Sequence, residues 1–275
     1  MFRADELSSL ARLIEAVRPW LRQLVLVGGW AQRLHRRHPL AGAPGYEPVH
    51  TRDADFAFAR TARLKGNIAD VLAAAGFRAN PSGDARPPVT RYELEDDDAG
   101  FYAEFLVPLA GGGTRREGRP DETQVTSGVV AQKLRHVDLL LLEPLLVTVS
   151  ADVGVPVARP AELLLANPVT LMVQKIVIRH LRPDDKKAQD VLCIHDTLDL
   201  FAGHFPELRV LWKRSVMPAM KGKLLRAFRV SIEEQYGHLD DVQRAASRLV
   251  ARPGLTAESL HAGCKLGLRE VFGEV

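Results

Sequence analysis

Asp53 and Asp55 flank Ala54 in the alternating stretch TRDADFAFA. Strand side chains alternate with period two, so the two carboxylates project to one side and Ala54 and Phe56 to the other. Two acids that close disfavour joint ionisation unless a cation lies between them. A divalent ion meets that need, and Mg2+ is characteristically held by one or two carboxylates together with substrate phosphates. Two ions held this way could activate an attacking hydroxyl and stabilise a leaving pyrophosphate. The bland alternative is a solvated edge strand with two surface acids.

A third acid, Glu104, lies in FYAEFLVPL. Alternation puts it on one face with Tyr102 and Leu106, and puts Ala103 and Phe105 opposite. An acid on an otherwise apolar face needs a partner. That partner is either a metal shared with Asp53 and Asp55 or an arginine. Upstream, QLVLVGG reads as a buried strand running into Gly28 and Gly29, and WAQRLHRRH reads as a helix opening at those glycines with Arg33, Arg36 and Arg37 on its polar side. Glycine there lets a phosphate approach the backbone, and a helix start supplies free N–H groups. A simple tight turn would use the same glycines.

Further along, Lys175, Arg179 and Arg182 are spaced i, i+4 and i+7, one face of a helix. Lys187 and Asp190 fall i and i+3 on the next helix. Such a face could receive a triphosphate, with arginine binding it in bidentate fashion, and Asp190 could orient Lys187 or Lys175. The same residues also describe an exposed charged hairpin stitched by Asp184, Asp185 and Asp190. Trp30 suits a core better than a base stack. His35 and His38 lack an acid or cysteine to complete a zinc set and read as a surface helix. His195 and Asp196 are neighbours that point differently on a helix and form no dyad. Arg115, Arg116 and Arg119 sit in a Gly-rich basic loop, Ala110 to Glu122, which reads as mobile and solvated.

The elements needed to position these groups are legible in outline. Leu7, Leu10, Ile14, Val17 and Leu21 recur at helical spacing and Pro19 ends the pattern, which predicts a helix from about Ala4 to Arg18. LKGNIADVLAAAGF predicts a helix stopped by Gly76. VTRYELEDDDAGFYAEFLVPL predicts a hairpin around Asp96 to Gly100. VDLLLL and LLVTVSADVGVPVA read as strand-like and turn-separated. From about Pro160 the pattern favours helix, including PAELLLANP. We therefore expect an α+β fold, with an α/β domain over residues 1–158 and a helical domain over 159–275.

The 275 residues carry 37 basic and 34 acidic side chains, a balance too near neutral to announce nucleic-acid binding unless charge is clustered locally. Two cysteines, Cys193 and Cys264, form no metal-type pair and imply a reduced, cytoplasmic setting. The charged, amphipathic N-terminus does not read as a secretory signal. The most apolar run, Val137 to Val149, is broken by Glu143 and Pro144 and is too short to span a bilayer, so no membrane partner is expected.

An apolar strand, Gly28–Gly29, a helix, Asp53-x-Asp55 and a later strand acid Glu104 together resemble the nucleotidyltransferase superfamily of the polymerase-beta type. NPVTLMVQKIVIRHLRPDDKKAQDVLCIHDTL resembles the K-x-x-x-R and K-x-x-D helices of the abortive-infection type IV toxin branch, with Lys175, Arg179, Lys187 and Asp190 matching. GGWAQRLHR, TRDADFAF and EFLVPLAG are most similar to uncharacterised bacterial proteins of that fold. The resemblance covers most of Leu24 to Leu198 and departs from the family in the Pro/Gly-rich insertion Leu40 to Val49.

The resemblance implies a mixed sheet with flanking helices and a helical C-terminal half. It also implies Mg2+-dependent transfer of a nucleoside monophosphate from an NTP to an acceptor hydroxyl, with Mn2+ as an alternative ion. Asp53, Asp55 and Glu104 would hold metal and carry catalysis, Glu104 helping to deprotonate the acceptor. Gly28, Gly29, Thr51, Lys175, Arg179, Lys187 and Asp190 would bind nucleotide. The acceptor implied is RNA, tRNA or a protein, in a toxin-like setting. A small antibiotic-type acceptor and a non-catalytic nucleotide-binding protein on the same fold are the alternatives.

Overall fold

Leu7, Leu10, Ile14 and Val17 are buried along one side of a first helix, α1 (Ala4–Val17). Proline cannot continue an α-helix, and the chain tightens into a 3-10 turn at Arg18–Trp20. These features come from a computed structural model, which describes residues 4–114 and 120–273. Arg115, Arg116 and Arg119 lie outside the described residues. The chain clusters into two compact units, Met1–Arg37 with His50–Ala166, and His38–Val49 with Asn167–Val275.

The first unit is built on one mixed sheet. Its strands are β1 (Val25–Val27), β2 (Asp53–Ala57), β3 (Phe77–Ser82), β4 (Val89–Leu94), β5 (Tyr102–Pro108), β6 (Thr123–Thr126), β7 (Val129–Leu134), β8 (Leu145–Val149) and β9 (Ala161–Leu165). They run in the order β3-β4-β5-β2-β1-β9-β8. Beyond the start of β5, its outer edge is taken over by β7, which also pairs with β6. β2 is parallel to β5 and antiparallel to β1, and β1 is parallel to β9.

The helices of this unit are α1, α2 (Gly28–Leu34), α3 (Ile68–Ala74) and the single turn α4 (Val137–Leu140). α3 is capped by Asn67, whose side chain accepts from the Asp70 amide, and is followed by Gly76 at φ +84°. The large core packs α1 and α3 on the sheet face formed by Leu26, Ala54, Phe56, Ala103, Phe105, Tyr92 and Leu163. Phe56 and Phe105 lie on paired strands with ring centroids 6.3 Å apart. Truncating either to alanine would cost about 3–5 kcal/mol.

Two expectations are corrected here. VDLLLL is not a strand: His136 takes a left-handed conformation (φ 65°), which breaks extension, and Val137 and Leu140 then bury as a helical turn. AELLL is not helical: it is β9, with alternating burial and pairing on both edges. A short apolar run does not distinguish the two states by periodicity.

The second unit is helical: α5 (Pro168–Ile178), α6 (Asp184–Leu200), α7 (Phe205–Leu211), a π-turn at Trp212–Val216, α8 (Met217–Ala219), α9 (Gly222–Tyr236), α10 (Asp241–Arg248) and α11 (Ala257–Phe272). Asn167 caps α5 by accepting from the Thr170 amide, with Pro168 at the first helical position. Residues 38–49 join this unit through Arg252, whose guanidinium donates to the Glu47 carbonyl and stacks 3.7 Å from the Tyr46 ring centroid. No described helix is long and apolar enough to cross a membrane.

Candidate active site on the open sheet face

The parallel pairing of β2 and β5 aligns Asp53 with Tyr102 and Asp55 with Glu104. Directly paired residues point to the same side of a sheet, so the three acids and Tyr102 share the face opposite the large core. β4 brings a further charge. Its register sets Tyr92 against Ala103, and one step on Arg91 falls opposite Glu104. Arg91 Nε donates to Glu104 Oε1 at 3.1 Å, and its guanidinium stacks 4.8 Å from the Tyr102 ring centroid. The rest of this face is apolar where α4 packs on it. Val25, Val27, Ala57 and Leu106 pack there under Val137 and Leu140 of α4. The acids therefore occupy the end of the face that α4 leaves uncovered in this cluster.

The glycine pair is fitted against the acids. Gly28 has φ +67°, and a Cβ on it would come 2.7 Å from Asp55 Oδ2. A Cβ on Gly29 would meet the Thr51 hydroxyl at 2.7 Å. The Thr51 hydroxyl in turn donates to Asp53 Oδ1. Any other residue at either glycine would push on the side chains that carry or brace the carboxylates. Burial, then the charges of Asp53 and Glu104, push the Tyr102 phenol up to about 12, so it stays protonated as a donor at neutral pH. The hydrogen bond to Glu104 raises Arg91 further above its ordinary value.

Among the described residues, no three acid, histidine or cysteine side chains are gathered as a ready metal cage. The donor set nonetheless fits Mg2+. That ion prefers hard carboxylate oxygens and completes its shell with water and substrate phosphates rather than an all-protein cage. The Asp55 carboxylate and the Thr51 side chain close directly over the two glycines.

Lys175, Arg179, Arg182 and Lys187 of the second unit are held by three different acids. Lys175 is buried and donates to Asp190 at 2.5 Å, and Arg182 reaches the other oxygen of the same carboxylate at 3.0 Å. Arg179 pairs with Asp240 at 2.8 Å, and Lys187 with Asp184 at 2.8 Å. Thus Lys175 and Asp190 are brought together, while Arg179 and Lys187 turn to other partners.

Arg33 is not on a polar surface. It is buried, pairs with Glu6 at 2.6 Å, and lies 4.2 Å from the ring of Trp30, itself fully buried. Burial lowers the Arg33 pKa. His35 is likewise buried rather than on a surface helix, and its Nε2 donates to the Ala166 carbonyl at 2.7 Å. Sequence reasoning missed Arg91. Its signal was available, since Arg91 and Glu93 alternate with Tyr92 and Leu94 in the strand expected to pair with that of Glu104.

A family model described as Nucleotidyltransferase matches residues 5–217. No curated protein matches the chain. A crystal structure of JHP933 from Helicobacter pylori aligns with 96% of this chain and 94% of that one, at 14% identity and a TM-score of 0.34.

Proposed function

The chain belongs to the nucleotidyltransferase family whose model it matches, and we propose that it is a cytoplasmic, Mg2+-dependent enzyme moving a nucleoside monophosphate from an NTP to an acceptor hydroxyl. The observation that carries this reading is the alignment of Asp53, Asp55 and Glu104 on one sheet face, with Asp55 against Gly28. Asp53 and Asp55, with Glu104 completing the set, would hold the metal; Mn2+ would suit the same hard oxygens. An ion held there would neutralise charge on the triphosphate and ease deprotonation of the acceptor hydroxyl.

The chain's own residues do the rest. Thr51 fixes Asp53 through its hydroxyl. Gly28 and Gly29, at the start of α2, would offer backbone N–H groups to a phosphate beside Asp55 and Thr51. Glu104 takes the proton of the acceptor hydroxyl as its oxygen bonds to the α-phosphorus and the bond to pyrophosphate breaks. Tyr102, protonated, donates to the incoming phosphate or acceptor. In the helical unit, Lys175, Arg179 and Lys187 would offer positive charge to a nucleotide, with Asp190 orienting Lys175. The acceptor in this reading is RNA, tRNA or a protein hydroxyl, the chemistry of a toxin-like transferase.

One observation favours a second reading, a non-catalytic nucleotide-binding protein: Glu104 is engaged by Arg91. Thermal shift with ATP separates the two. Stabilisation that requires Mg2+ and vanishes in Asp53→Ala/Asp55→Ala supports the enzyme. Equal stabilisation without metal supports the binding protein.

A further inference from the structure

The near-neutral total charge conceals a strongly polar distribution. Between Leu208 and Ile232 the chain carries seven lysines and arginines and no acid, whereas in the rest of the sequence acids outnumber bases. Arg209 is spent on Glu270. Lys213, Lys221, Lys223, Arg226 and Arg229 are all exposed, and among the described residues none of the five pairs with a carboxylate. Arg214 is exposed beside them.

The fold brings these cations to one region. The π-turn Trp212–Val216 and α8 reverse the chain into α9, and Trp212 packs on Phe228 at 5.3 Å between ring centroids. Lys213 and Arg214 follow one ring of that pair, and Arg229 follows the other. At the start of α9, the Arg226 guanidinium folds back to within 3.6 Å of the Cβ position of Gly222, between Lys221 and Lys223. The first turn of α9 holds no acid. Cations stacked at the positive end of a helix repel it and one another, which costs stability when no anion is bound.

We propose that this surface of the helical unit binds the phosphate backbone of a nucleic acid, RNA in the first instance. The alternatives fit less well. A membrane-binding helix inserts an apolar face, but the apolar face of α9, Phe228, Ile232 and Tyr236, is buried in the protein. An acidic protein partner presents carboxylates in a local patch, whereas a nucleic acid presents evenly repeated anions along its length, which suits cations spread from Lys213 to Arg229. The proposal deepens the transferase reading by giving its acceptor a chemistry, and it rests on that reading only for this link.

The test measures binding of a fluorescein-labelled RNA hairpin to the full chain by anisotropy, in EDTA and without nucleotide, across a salt series. Wild type binds with steep salt dependence. Lys221→Gln/Lys223→Gln/Arg226→Gln lowers affinity at least about tenfold and flattens the log–log salt slope by about 2, since each lost phosphate contact removes roughly 0.7–0.9. The independent pair Lys213→Gln/Arg229→Gln moves both in the same direction. Arg60→Gln/Arg63→Gln/Lys65→Gln, which removes equal charge from exposed positions of the other unit, leaves both unchanged. Unaltered RNA binding in the first triple overturns the proposal. So does an equal loss in both triples. A chain that binds RNA as stated but labels nothing refutes the transferase reading and leaves this surface standing.

Discussion

Asp55 stands opposite Glu104 on the neighbouring parallel strand, and its carboxylate rests against Gly28, where a Cβ would approach Oδ2 to 2.7 Å. The glycine is thus tied to the acids by contact as well as by backbone conformation. Gly28→Ala should lower transfer by at least about tenfold and stability by about 1–2 kcal/mol, the cost of a left-handed alanine. Gly83→Ala is the control. Gly83 has φ +79° with nothing within 4 Å of its Cβ position, so it should show the stability loss alone. Urea melts and a transfer assay on both variants check this.

Arg91 touches both Glu104 and Tyr102 and is half exposed. If it positions Glu104 for proton transfer, Arg91→Ala should cut kcat about ten- to hundredfold, because small misplacements of a reacting group are expensive. The melting temperature should scarcely move, since exposed ion pairs contribute little. Arg91→Lys should restore part of the rate. A parallel fall in kcat and melting temperature would make its role structural.

Much of this arrangement was readable from sequence, for a physical reason. Period-two alternation groups Asp53 with Asp55, and Glu104 with Tyr102, on one side of their own strands before any strand is paired. Pairing itself is non-local, so alternation could not reveal that Asp55 meets Glu104 or that Arg91 lies across from it. The AELLL strand was misread as helix because its neighbours β1 and β8 decide its state. Arg33 was misplaced because its partner, Glu6, is distant in sequence. The basic stretch from Arg209 to Arg229 was visible throughout, but only packing shows which of its cations stay exposed.

Asp190 and Lys175 form a buried pair whose stability depends on pH. Burial raises the Asp190 pKa, but Lys175 and Arg182 outweigh it and hold the carboxyl below its ordinary 3.8. Burial lowers Lys175, but Asp190 outweighs it and lifts the ammonium above 10.5. The depressed acid contributes stability present above 3.8 and lost as pH falls through its folded pKa. The raised ammonium contributes stability present below 10.5 and lost as pH rises through its folded pKa. Lys175→Met should cost about 3–5 kcal/mol at neutral pH by leaving a buried carboxylate under-compensated. Urea melts across pH should show the alkaline limb flattened in this variant.

Arg252 ties residues 38–49 into the helical unit. It forms a two-point bond to the fully buried Asp196, at 2.5 and 2.7 Å, while donating to Glu47 and stacking on Tyr46. Arg252→Ala should destabilise the protein by about 3–5 kcal/mol and expose a protease cut between Leu40 and Val49. Limited proteolysis with mapped fragments decides it; a cut elsewhere with this loop intact would contradict it.

The most direct test of the shared acid face is nucleotidyl transfer itself. Each α-labelled NTP is incubated with Mg2+, total RNA and either wild-type protein, Asp53→Asn/Asp55→Asn or Glu104→Gln. The account predicts labelled acceptor with wild type, none with the double variant, and a rate lowered about a hundredfold or more in Glu104→Gln, within the range for loss of a general base. Equal labelling by wild type and the double variant would contradict it.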